Sequence, residues 1–225
     1  MRKTFLFILF FAFIFASQAN AQLLLNEILK RMDEHHKALT SLQARVIMEK
    51  YNAQLDETDV TEGIVKYLPK TSKRPMYIRL DWTKPVAEQI SVIGKTYTLY
   101  RPRLNQVYVG KTDEARNNAK VGNALGFISM SRQELKANYT VNYLGKEKIR
   151  GDIETWHLEL IPKKPTNYKS AYLWVDVDGM PRQARVVESN GDTTTILLYD
   201  IQKNITLNGA DFEIKYPANI KPIRG

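Results

Sequence analysis

Apolar and polar positions alternate along this chain in two distinct rhythms. The first runs through Leu25, Ile28, Leu29, Met32, His36 and Leu39 at three- and four-residue spacing, with Glu27, Lys30, Arg31, Asp33 and Glu34 opposite. That period predicts one amphipathic helix. Beyond Thr40-Ser41 the period drops to two: Leu42, Ala44, Val46 and Met48 alternate with polar neighbours, as in a half-buried strand. A polar turn around Asp56 to Asp59 leads to a strand over 63–67. The stretch Met76 to Trp82 then places Met76, Ile78, Leu80 and Trp82 on one face. Further strands are predicted at 88–93, 96–101 and 105–109.

The rhythm breaks between Lys111 and Asn138, a small, polar stretch holding an apolar knot at Leu125-Gly126-Phe127-Ile128. A short helix is predicted from Ser131 to Ala137, because Ser131 with Glu134 three residues later forms a capping-box pattern. Strands return at 139–145, 153–161, 168–177, 181–189, 193–202 and 211–215. Asp178-Gly179 and Asn190-Gly191 stand between apolar runs as hairpin turns. About eleven strands joined by hairpins, with no strand–helix alternation, predict a mainly β (α+β) fold built on one antiparallel sheet. Eleven twisted strands do not stay flat, so the sheet curls into a barrel or an open half-barrel. Two helical segments are left to cover its concave apolar face, giving one core and one domain over 22–225.

Composition narrows the function. The first twenty-one residues combine Arg2-Lys3, an apolar run from Phe5 to Ala16, and Ala19-Asn20-Ala21; six of the eight Phe lie here. A basic start, a short apolar core and an A-x-A ending predict a signal peptide cleaved after Ala21, and hence an exported protein. The chain carries 33 basic against 24 acidic residues, yet the basic ones are scattered and no nucleic-acid-binding motif accompanies them. With no cysteine, thiol chemistry, disulfides, Cys-ligated metals and cysteine-borne lipid anchors are excluded.

Catalytic material is sparse. Of three histidines, His35 and His36 sit on the first helix and His157 on a strand. None has metal-ligand spacing, and no G-x-S-x-G elbow is present. Asp176 and Asp178 flank a turn, and Trp174 occupies the first ligand position of the nearest calcium-loop pattern. Binding is therefore expected rather than catalysis, with no metal and no cofactor. The curved apolar face packs a plug, joins a partner or encloses a greasy ligand.

The stretch from Lys73 to Gln106 resembles the periplasmic outer-membrane lipoprotein carrier family, the LolA-like proteins. The resemblance lies in Lys73-Arg74-Pro75, Pro85, Gly94-Lys95-Thr96, Tyr100-Arg101-Pro102 and Asn105-Gln106-Val107. Asn123 to Phe127 and Asp211 to Ile214 with Pro217 add weaker matches. The chain departs from the family in having Ile93 before the Gly-Lys turn and Tyr97-Thr98 after it. The resemblance implies an incomplete eleven-stranded barrel with a helical lid over an apolar cavity for lipoprotein acyl chains. It implies a monomer that receives cargo from an inner-membrane lipoprotein-releasing transporter and delivers it to an outer-membrane acceptor. By the same match Arg74 would latch the lid, using its rigid fork of donors. Met76, Ile78, Leu80 and Trp82 are the expected cavity lining, with Trp156, Leu158 and Leu160 a second wall. Leu125, Phe127 and Ile128 are the expected lid plug. A lipid- or lipoprotein-sensing regulatory module of the same fold is the alternative, and an exported hydrolase a further one.

Overall fold

The computed structural model of the protein describes residues 22–112, 126 and 130–224. Helix α1 covers 22–38, and its predicted apolar stripe turns inward: Leu25, Ile28, Leu29 and Met32 are buried. The outer face carries ion pairs one turn apart, Glu27 with Arg31 and Asp33 with Lys37.

Among the described residues twelve strands follow: β1 (Leu42–Asn52), β2 (Glu57–Leu68), β3 (Tyr77–Lys84), β4 (Glu88–Ile93), β5 (Thr96–Arg101) and β6 (Gln106–Lys111), then β7 (Tyr139–Ile149), β8 (Ile153–Pro162), β9 (Tyr168–Asp176), β10 (Pro181–Glu188), β11 (Thr193–Lys203) and the two-residue β12 (Ile223–Arg224). They form one sheet in the order β12-β6-β5-β4-β3-β2-β1-β11-β10-β9-β8-β7. Two antiparallel meanders, β1–β6 and β7–β11, thus meet where β1 pairs with β11. The result is an open, incomplete barrel with α1 laid across its concave face.

That face is the core. Leu42, Ala44, Val46 and Met48 of β1 pack with Val65, Leu80 and Trp82 on one side and with Leu158, Leu160, Leu173, Val175, Ala184, Ile196 and Leu198 on the other. All of them form one cluster with the buried residues of α1. Helix α2 (Arg132–Asn138) contributes Leu135, fully buried. Its start carries the predicted capping box: the Glu134 N–H donates to Ser131 Oγ at 3.2 Å, and the Ser131 N–H donates to Glu134 Oε2 at 2.8 Å. Both predicted hairpin turns are present, with Gly179 at φ +82° and Gly191 at φ +90°.

Strand β7 runs four residues past its expected end, β12 is not among the expected strands, and two further segments differ from the periodicity. Strand β2 begins at Glu57 rather than 63, because its exposed polar start pairs with Lys50 to Asn52 of β1. The segment 211–215, predicted as a strand, is instead a 3-10 turn (Gly209–Phe212) followed by irregular chain. Its backbone is satisfied by side chains on the convex side of the sheet. Ser91 Oγ donates to the Phe212 carbonyl at 2.6 Å, and Arg79 Nη1 donates to the Glu213 carbonyl at 2.7 Å. Phe212 is fully buried against Tyr77, with ring centroids 5.4 Å apart. A segment tied down by one aromatic plug and borrowed donors has no need of a ladder.

Candidate functional site

Under the C-terminal half of α1 lies a partly open apolar cavity of ≈ 50 Å³. Met32, His35 and His36 line it from the helix and Leu39 from the chain just beyond. Leu42, Val65, Tyr67, Ile78 and Leu198 form its floor on the sheet, with Met180 and Pro181 at the start of β10 and Met130 ahead of α2.

The floor continues sideways as an apolar face. Residues directly opposite across an antiparallel ladder point the same way. Ile78 pairs with Val92 and Val92 with Tyr97, while Leu80 pairs with Ile90, Ile90 with Leu99 and Leu99 with Tyr108. Leu80 is buried beneath α1, but Ile90, Val92, Tyr97, Leu99 and Tyr108 are only half-buried. Among the described residues of β4, β5 and β6, Ile90 packs against the buried cluster around the helix, and none is buried within it.

The expected site residues are distributed as follows. Ile78 lines the cavity. Met76 is half-buried and precedes β3 by one residue. Leu80 and Trp82 lie deeper, packed in the core with the helix, as do Trp156, Leu158 and Leu160 on the opposite wing. Leu125, Phe127 and Ile128 lie outside the described residues. Arg74 Nη2 donates to the Thr40 carbonyl at 3.3 Å, tying the entry of β3 to the link between α1 and β1. Its Nε is buried and makes no hydrogen bond among the described residues.

His35 and Tyr67 line the cavity although alternation singled out neither for that role. The available signal for His35 is its place between Met32 and Leu39, three and four residues away on the helix. Burial, assisted by the charge of Lys203, holds the His35 imidazole below its usual pKa, against the opposing pull of Asp176 and Asp178. Burial likewise raises the Tyr67 phenol. The shift at His35 favours the neutral imidazole. Among the described residues no three His, Cys, Asp or Glu side chains gather as metal ligands, and no helix is long and apolar enough to cross a membrane.

A curved antiparallel sheet whose apolar hollow is partly covered by a helix defines an incomplete-barrel protein with a hydrophobic site. The family model described as outer membrane lipoprotein carrier protein LolA matches residues 40–215, and the chain belongs to that family. An outer-membrane lipoprotein carrier protein of Chromobacterium violaceum is 30% identical over 152 residues, covering 68% of this chain and 69% of the relative. One of Methylobacillus flagellatus is 24% identical over 183 residues, covering 81% and 82%. Among solved structures, an uncharacterized conserved protein from Thermus thermophilus shares the fold at a TM-score of 0.57 and 15% identity, covering 89% of this chain and 98% of that one.

Proposed function

We propose that this protein is a periplasmic carrier that shelters lipoprotein acyl chains between the inner and outer membranes, without catalysis. The observation that carries this reading is the apolar cavity at Ile78 running into the half-buried face of β3–β6, in a chain of the carrier family. Removing acyl chains from water is worth about 0.8 kcal/mol per buried CH₂, so even partial enclosure of a long chain favours binding.

The closed dimensions argue for a moving part. Ligand pockets usually measure about 300–1,000 Å³, several times the cavity seen here. Loading an acyl chain therefore requires the covering elements to withdraw from the sheet. Arg74 is proposed to regulate this, supported by its single long bond to Thr40 at the foot of α1 and an Nε with no partner among the described residues. Ile78 is the proposed cavity wall. Leu80, Trp82, Trp156, Leu158 and Leu160 are proposed to become accessible to ligand only when α1 lifts, and Met76 to border the entrance. The Lys and Arg excess suits contact with anionic headgroups as cargo is received from a releasing transporter and given to an acceptor. Residues 1–21 are proposed to be a leader removed after Ala21.

The test is direct. Protein purified from the periplasm should release acylated material on organic extraction, read by mass spectrometry. A fluorescent long-chain acyl probe should bind the wild type and bind Ile78→Glu far more weakly, since a carboxylate in an apolar wall is costly. Equal binding by both folded proteins, or no acyl binding by the wild type, would overturn the proposal.

A further inference from the structure

Three polar side chains, His35, His36 and Tyr67, interrupt the otherwise apolar cavity wall. His35 is one of the residues lining the cavity, and its Nε2 is buried with no hydrogen bond among the described residues. Polar atoms that are buried in native proteins almost always have a partner, and an orphan is a place to look for a ligand. His36 lies beside it on the same wall.

The placement of His35 is as informative as its chemistry. It shares the cavity lining with Met32, Leu39 and the apolar floor at Leu42 and Leu198. The charges that act on it are those of Asp176 and Asp178 at the β9–β10 turn, Lys203 at the end of β11, and His36. The imidazole thus has both apolar cavity residues and charged groups acting on it. An acyl chain combines the same two characters: hydrocarbon, then a carbonyl and a polar head.

Taking acyl chains as the cargo, as proposed above, we infer that His35 Nε2–H donates a hydrogen bond to the carbonyl at the head of the chain. The site would then select acyl esters over hydrocarbon chains of equal length that lack the carbonyl. A neutral imidazole suits this role, because it carries one donor and one acceptor and brings no unpaired charge into the hollow. The carbonyl supplies only acceptors, so the proton must reside on the nitrogen that faces it. Without ligand the donor is left unpaired in an apolar wall, so cargo binding is favoured at this point specifically.

The experiment displaces a fluorescent acyl probe from the full-length mature protein with methyl palmitate or with hexadecyl methyl ether. The two match in chain and differ in the carbonyl. Wild type should prefer the ester by about fivefold, the yield of one hydrogen bond. His35→Leu should bind both and show a ratio near one, while His35→Gln, whose amide N–H can still donate, should keep most of the preference. Near-UV circular dichroism of each variant checks that the core is intact. If the leucine variant is misfolded, the wild-type ratio and the glutamine variant still decide. A wild-type ratio near one, or an unchanged ratio in folded His35→Leu, overturns the assignment while leaving the carrier reading in place. Failure of every acyl compound to displace the probe from the wild type removes the carrier reading itself.

Discussion

At Gly179 the β9–β10 turn meets the backbone of the covering helix closely, and replacing it tests how α1 is held. The residue sits in the β9–β10 turn at φ +82°, a region that costs a side-chain-bearing residue about 1 kcal/mol. A Cβ there would lie 2.3 Å from both the carbonyl carbon and oxygen of Arg31 and 2.7 Å from the Met32 nitrogen. All three are backbone atoms, so no rotamer change relieves the clash. Carbon atoms need about 3.5 Å, so in Gly179→Ala the turn and the helix must separate by roughly 1 Å. A gap of that size forfeits a quarter to a half of the packing energy across it. The face concerned holds Leu25, Ile28, Leu29 and Met32, each worth about 1.5–3 kcal/mol when buried. Partial loss over four such residues, with the backbone strain, gives roughly 3–5 kcal/mol, a large share of a domain's stability.

Urea denaturation should therefore show a midpoint lowered by about 1–5 M, taking a slope of about 1–3 kcal/mol/M. Hydrogen exchange should speed up first in 22–38, ahead of β7–β11. Gly191→Ala is the control. Gly191 shares the positive φ at +90°, but its Cβ would meet only the Ala53 side chain at 3.2 Å. It should cost about 1 kcal/mol, the conformational part alone. Equal destabilisation by the two alanines would refute the idea that helix contact is what Gly179 serves.

Arg74→Leu should remove the bond to Thr40, raise exchange around 38–41 and slow release of an acyl probe, with lysine restoring little because it lacks the planar fork; unchanged exchange and off-rate would make Arg74 an ordinary surface charge. Phe212→Ala should cost about 3–5 kcal/mol and open 205–217 to limited proteolysis, since Phe212 is the fully buried plug of the convex side; an uncut tail would show that Arg79 and Ser91 suffice. Stability should fall between pH 7 and pH 5, because burial holds His35 and His157 below the usual imidazole value and, for His157, outweighs the adjacent Glu147 carboxylate. The unfolded chain, with histidines near 6.5, binds more protons in that window, so stability is full above it and is lost as pH falls through the folded values. Urea midpoints measured across the range should slope accordingly, with a shallower slope in His35→Gln and His157→Gln, and a flat wild-type profile would refute it.

Local pattern by itself determined the helix stripe of α1, the alternating faces of most strands, the capping box at Ser131 and the hairpins at Gly179 and Gly191. Each depends on neighbours a few residues apart, through helical or strand periodicity and turn conformation, so each is written in adjacent positions. Alternation also put Ile78, Leu80 and Trp82 on one face, but it could not say what would cover that face. Tertiary packing alone decided that α1 buries Leu80 and Trp82 while the cavity opens at Ile78. The β1–β11 pairing that joins the two meanders lies across some 150 residues and leaves no local signature. Asp211 to Ile214 alternates as a strand would, yet Ser91 and Arg79 from distant strands supply the hydrogen bonds that its backbone needs, and Phe212 fills a socket. The unpartnered Nε2 of His35 has the same origin: only the tertiary fold around it removes it from water.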